Sequence, residues 1–181
     1  MELSVGNSQY SVAAYREDGR MALYLTVSTV SHPPRSRWIR ESMDTITSFG
    51  PFSQITGLSI TADVIFSSWS PWLSKMRNIS RLDLCCPSVT GCLGSLSTSV
   101  DGSPLCPLLN SLAFRWFQRS LKFDYESLKA CILFRRAAGC PLTFVLAPGY
   151  DWAQALVYDP SWDALVDSHG TLLLICTTWQ T

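Results

Sequence analysis

Asp167, Ser168 and His169 stand side by side, so an acid, a hydroxyl nucleophile and an imidazole base are all present in one tripeptide. A hydrolase needs those three types to converge on a single point, which adjacent residues rarely do, and no G-x-S-x-G elbow accompanies them. His169 precedes Gly170 and reads as a turn residue; a small hydrolase resting on these three residues is kept as the alternative function. Asp151, Asp159, Asp163 and Asp167 lack the D-x-D-x-D-G loop that gathers carboxylates around a cation, and read as caps and turns. The seven cysteines, at 85, 86, 92, 106, 131, 140 and 176, contain no C-x-x-C pair, so core-filling thiols are favoured over zinc ligands, for which only His32 and His169 could help. Asn78-Ile79-Ser80 matches a glycosylation sequon, which has meaning only in a secreted chain. No catalytic, cofactor or metal residue is assigned. The remaining group, Arg115, Trp116, Phe117 and Arg119, has the composition of a protein-interface hot spot and directly follows an apolar strand segment, so these four are the candidate partner contacts. Arginines snorkelling over core aromatics are the plainer reading of the same residues.

The elements that would position such groups follow a repeat. Ile55-x-x-Leu58-x-Ile60, Ile79-x-x-Leu82-x-Leu84 and Leu109-x-x-Leu112-x-Phe114 share one spacing, and Val145/Ala147 and Leu172/Leu174 continue its shorter L-x-L part. A strand-plus-helix unit of this size cannot bury its own apolar face and must stack on its neighbours, which predicts a solenoid. Before it, 11–15 and 21–27 are extended runs around an Asp18-Gly19 turn, an antiparallel hairpin signal. Helices are expected at 36–48, at 68–77 with Lys75 and Arg77 in its last turn, at 125–138 and at 161–166. Strands are expected at 57–62, 80–85, 142–147 and 172–176. The Ser/Thr/Gly-rich stretch 87–107 is left open, with one short helical turn using Leu93 and Leu96. In the helix over 125–138, Asp124 is the cap, Leu128, Cys131, Ile132 and Arg135 trace one stripe, Arg135-Arg136 suit the negative end of the dipole, and Gly139 and Pro141 stop the element. The seven tryptophans read mostly as core filler.

At 181 residues the chain suits one domain, with a hairpin or meander over 1–30 and strand–helix repeats over 36–181. Charged residues make up 15% against about 25% in an average soluble domain, and the net charge is zero. That balance removes the long-range attraction to phosphate, so neither nucleic acid nor a membrane surface is an expected partner. No apolar run is long enough to span a bilayer, and Met1 to Gly6 has neither the basic nor the apolar part of a secretory signal, so a cytoplasmic or nuclear location is expected.

Two further segments carry a resemblance. Pro104-Leu105-Cys106-Pro107-Leu108-Leu109-x-x-Leu112-x-Phe114 and Phe134-Arg135-Arg136-Ala137-Ala138-Gly139-Cys140-Pro141-Leu142 resemble the irregular leucine-rich-repeat regions of fungal, mushroom-type F-box proteins. The first is similar to that group's entry into a strand and the second to its passage from helix through a glycine cap into the next strand. The likeness covers about residues 38 to 147 well and the rest loosely. It implies a substrate-recognition region of a ubiquitin-ligase receptor. The F-box itself, with its Leu-Pro-x-Glu opening, is not seen, so binding to the ligase's adaptor subunit is not expected. The usual asparagine ladder is also missing: the corresponding positions are Asp63, Pro87 and Phe117.

The expectation is therefore an α/β, irregular leucine-rich-repeat-like solenoid of parallel strands alternating with helices, preceded by an antiparallel β-hairpin. Its function would be that of a non-enzymatic protein–protein interaction module with an unidentified protein partner and no cofactor. Besides a small hydrolase, a truncated repeat fragment without independent function is the other alternative.

Overall fold

In the computed structural model the residues described are 8–15, 21–29, 54–61, 69–115, 123–148 and 172–176. They hold nine strands and three helices. In chain order these are β1 (Ser8–Tyr15), β2 (Met21–Thr29), β3 (Gly57–Thr61), α1 (Ser70–Leu73), β4 (Arg81–Cys85), α2 (Thr90–Leu96), β5 (Ser99–Val100), β6 (Ser103–Pro104), β7 (Ser111–Phe114), α3 (Tyr125–Ala137), β8 (Phe144–Pro148) and β9 (Leu172–Cys176). One sheet has the order β2-β1-β3-β4-β7-β8-β9, and β5 pairs with β6 in a small second one. β3, β4, β7, β8 and β9 are parallel neighbours. The hairpin joins antiparallel through β1, with Ser11 opposite Thr61 and Tyr15 opposite Gly57, so it covers the β3 edge of the parallel set. The expected α/β class, parallel sheet and leading hairpin are all present; the expected helices over 36–48 and 161–166 lie outside the described residues.

The register shows why the leucine spacing matters. Leu58, Leu82, Leu112 and Val145 stand side by side, and so do Ile60, Leu84 and Phe114, with Ala147 two residues beyond Val145 on β8. Just before each strand lie Ile55, Ile79, Leu109 and Leu142. All twelve are buried, forming three apolar rows in one core cluster with Leu128, Cys131 and Ile132 of α3 and Cys92, Leu93 and Leu96 of α2. The fourth unit, Leu142-x-x-Val145-x-Ala147, thus carries the full spacing as well.

The same periodicity appears in the backbone. Thr56 O accepts N–H from Ser80 and Arg81, Ser80 O from Asn110 and Ser111, and Asn110 O from Thr143 and Phe144. One carbonyl per unit therefore satisfies two donors of the next, and the hydroxyls of Ser80 and Thr143 donate to the same acceptors. These contacts fix the starting point of each strand, and with it the register that places side chains on either face.

α1 is shorter than the helix expected over 68–77. Leu73, Met76 and Ile79 are buried three residues apart, with buried Trp72 beside the first, and the chain after Leu73 descends through i→i+3 bonds, Lys75 N to Trp72 O and Met76 N to Leu73 O. A succession of turns buries those residues while returning the chain to β4, so Lys75 and Arg77 do not occupy a helical last turn. Trp69 and Trp72 fill the core edge-to-face at 5.9 Å.

The stretch left open from the sequence holds α2 and a tight hairpin. Asp101 and Gly102 link β5 to β6 with φ of 52° and 76°, the two positive values a type I′ turn requires. After it, Cys106 adopts φ 48°, a conformation that is strained for a residue with a Cβ. It is held there from both sides: its thiol donates to Leu73 O at 3.4 Å, and its own carbonyl accepts from Arg135 at 3.0 Å.

α3 begins and ends as its sequence dictates. Asp124 caps it, accepting from the Ser127 N–H at 2.9 Å and the Ser127 hydroxyl at 2.7 Å, and it reaches the start of α2 by accepting from the Thr90 hydroxyl at 2.9 Å. Gly139, at φ 72°, closes the helix: its N–H donates to Arg136 O and that of Cys140 to Arg135 O, the paired bonds of a Schellman end. Burial tends to raise the Asp124 carboxyl, but the bonds from Ser127 and Thr90 outweigh it and hold the group below the usual carboxylate range. A depressed folded-state value contributes stability that is present above the unfolded value, near pH 4, and lost as pH falls through the folded one. Asp124→Ala is therefore expected to cost about 1–2 kcal/mol in urea unfolding at neutral pH, an N-cap loss. The gap from wild type should narrow steadily below about pH 4; a pH-independent gap would show that the carboxylate's charge has no part in the cap.

Arg135 has both its expected place in the last turn and its place on the buried stripe, and makes further contacts. It is fully buried and points inward, donating to Leu105 O at 2.9 Å, Cys106 O at 3.0 Å and Leu109 O at 2.9 Å. The guanidinium clasps the loop that leads into β7 rather than interacting only with the helix end.

Candidate functional site

Strand alternation sends Leu58, Leu82, Leu112 and their row-mates into the core, so the intervening residues share the other face of the sheet. In register across β3, β4, β7 and β8, one row is Gly57, Arg81, Ser111, Phe144 and the next is Ser59, Asp83, Ala113, Leu146. Thr61 pairs with Cys85, and Arg115 follows β7 at that level. This face passes from hydroxyls on β3, through charge on β4 and the end of β7, to apolar side chains on β8. Phe144 and Leu146 are half-buried, while Arg81 and Arg115 are exposed.

At its centre Arg115 grips Asp83. Nε donates to Oδ1 at 3.1 Å and Nη2 to Oδ2 at 2.7 Å, a bidentate pair. The arginine side chain remains 55% exposed whereas that of Asp83 is 7% exposed. The carboxylate is thus the buried anchor and the guanidinium its cover, a geometry that removes most of the arginine's rotamer freedom before any partner arrives. Position is fixed by the backbone as well, since Arg115 N–H donates to Leu84 O at 2.7 Å. Next to the pair, the Cys85 thiol is pushed up by burial and by Asp83, and drawn down less by Arg115, so it is held in its protonated, weakly nucleophilic form.

Three buried thiols behind the sheet are held protonated in the same way. Burial pushes Cys106 up to about 12 against the pull of Arg135, and raises Cys92 and Cys131 too. Cys85, Cys86, Cys92, Cys106, Cys131 and Cys140 are unbridged, and among the described residues no group of three or more His, Cys, Asp or Glu is placed to hold a metal ion. Among the same residues no helix is long and apolar enough to cross a membrane.

Of the four candidate contacts read from the sequence, Arg115 lies on this face; Trp116, Phe117 and Arg119 lie outside the described residues, as do Asp167, Ser168, His169 and the aspartates from 151 to 163. Sequence reading missed Asp83 and Arg81. A signal for both was available: Arg81-Leu82-Asp83-Leu84 aligns with Ser111-Leu112-Ala113-Phe114 on the leucine spacing, which already puts Asp83 one strand away from Arg115.

Comparison of the chain with protein-family models, with curated proteins and with solved structures finds no match in any of the three.

Proposed function

We propose that the chain is a non-enzymatic protein–protein interaction module, built as an irregular leucine-rich-repeat-like solenoid and akin to the substrate-recognition region of an F-box ubiquitin-ligase receptor. The observation that carries the reading is the Arg115–Asp83 pair: an exposed guanidinium, anchored on a nearly buried carboxylate, on a sheet face whose neighbours are hydroxyl, cationic and apolar. Pre-organised arginine beside apolar side chains is how binding hot spots are composed. The stacked units support the solenoid, through three apolar rows and one shared backbone acceptor per step. Such a scaffold supplies a broad, rigid surface whose side chains are independent of the core that supports it.

Quantitative affinity capture from cells tests this. Proteins recovered with the wild-type chain should also be recovered with Arg77→Glu, an exposed charge outside the sheet, and should fall by about tenfold or more with Arg81→Glu on the face. A capture profile unchanged by Arg81→Glu would remove the sheet face from consideration. Turnover of ester or peptide substrates that disappears in Ser168→Ala would replace the module with the hydrolase.

A further inference from the structure

On this sheet face the charges of the described residues do not balance. Among those residues the face presents two guanidiniums, Arg81 and Arg115, to one carboxylate, Asp83, in a chain whose total charge is zero. Arg115 commits two of its N–H donors to Asp83, and a guanidinium has five. Arg81 sits two residues before Asp83 on the same face, about 6.6 Å along the strand, with Gly57 beside it on one strand and Ser111, which offers a hydroxyl, on the other. One more carboxylate placed against both arginines would complete an alternating set of two cations and two anions.

From this arrangement we propose that the face binds an acidic peptide segment, with one Asp or Glu carboxylate bridging Arg81 and Arg115. The inference rests on the interaction-module reading and adds to it the chemistry of the partner. The neighbouring strand adds a second requirement. Phe144 and Leu146, half-buried, lie on β8 opposite Ser111 and Ala113, one strand beyond Arg115 and two beyond Arg81. Strands are about 4.8 Å apart, so the apolar patch begins roughly 5–10 Å from the carboxylate position. In an extended peptide, same-side residues recur about every 6.6 Å. The recognised pattern is therefore Asp or Glu, any residue, then a large apolar residue. A nucleic acid fits this face poorly, because two cations flanking a fixed carboxylate provide little of the phosphate neutralisation that such binding requires.

The test is a random heptapeptide library displayed on phage and panned against the full chain, followed by fluorescence-polarisation titration of the most enriched peptide. The expected consensus is acidic-x-apolar. Binding should weaken about tenfold or more in Arg81→Gln, and also when NaCl is raised from about 50 mM to about 500 mM. Because Arg81 is exposed, Arg81→Gln should keep the wild-type unfolding midpoint; Arg115→Lys, which retains the charge but not the fork, is the second variant and should weaken binding as well. An enriched neutral or basic consensus whose binding is lost in Arg81→Glu would overturn the acidic-ligand proposal and leave the interaction reading standing. An acidic consensus indifferent to both arginines would overturn it too. Enrichment of nothing above bare support would count against both.

Discussion

Replacing Arg135 with methionine should destabilise the protein by about 3–5 kcal/mol, measured as the shift in urea unfolding relative to wild type. Exchanging a buried ion pair for hydrophobic residues can be neutral when both partners go. Here the partners are the backbone carbonyls of Leu105, Cys106 and Leu109, which no substitution at 135 removes. Methionine fills the space of the aliphatic stem and leaves the Leu105 and Leu109 carbonyls facing a core without this donor, each costing on the order of 1–3 kcal/mol, while Cys106 O keeps the Leu109 N–H; the loss is partly offset because a fully buried charge no longer has to be desolvated. The loop would also lose what holds Cys106 at positive φ. Arg135→Lys should recover little, since one ammonium cannot reproduce a planar fork that spans three carbonyls. Arg136→Met, one residue on and only partly buried, is the control and should stay within about 0.5 kcal/mol. A loss below about 1 kcal/mol for Arg135→Met would mean that the 105–109 loop holds its shape without the clasp.

That arginine also shows where the sequence stops being informative. Leu128, Cys131, Ile132 and Arg135 are recognisable as one helical stripe, and all four are buried. What Arg135 does there was hidden, because its partners are main-chain oxygens 26 to 30 residues earlier and a carbonyl has no residue type. The hairpin at Asp101-Gly102 was missed for a related reason. The same dipeptide at 18–19 stands between long alternating runs, whereas here each flanking strand is two residues long and no alternation can develop. The apolar rows were readable wherever Leu or Ile marked them. The fourth unit, with Val145 and Ala147 at the inward positions and Phe144 and Leu146 at the outward ones, has nearly the reverse of the expected size pattern; its place in the repeat already marked Val145 and Ala147, and the pairing of β7 with β8 puts them on the core side. The candidate site was half visible. Composition drew attention to Arg115, but the carboxylate that gives it a fixed position lies 32 residues earlier, and a contact of that kind follows from register rather than from local sequence.

The second large effect concerns the helix that backs the central strands. Leu128 has no exposed surface and belongs to the same cluster as Leu84, Leu112 and Phe114, while Leu133, five residues on, is 46% exposed. Both are leucines in one helix, so truncating each to alanine changes helix propensity equally and isolates the packing contribution. Leu128→Ala should cost about 2–5 kcal/mol, from lost transfer energy and from a cavity that the surrounding in-register rows cannot collapse to fill. Leu133→Ala should cost about 0.5 kcal/mol or less. Chemical denaturation of the two variants against wild type reads the difference directly, and comparable losses would mean that α3 docks on the sheet through another face. The consequence extends to the other face of the sheet. β7 carries Leu112 inward and leads directly into Arg115, so a cavity behind the strand loosens the support of the Arg115–Asp83 pair. Leu128→Ala should therefore weaken partner capture even under conditions where the protein remains folded, whereas Leu133→Ala should leave capture at the wild-type level.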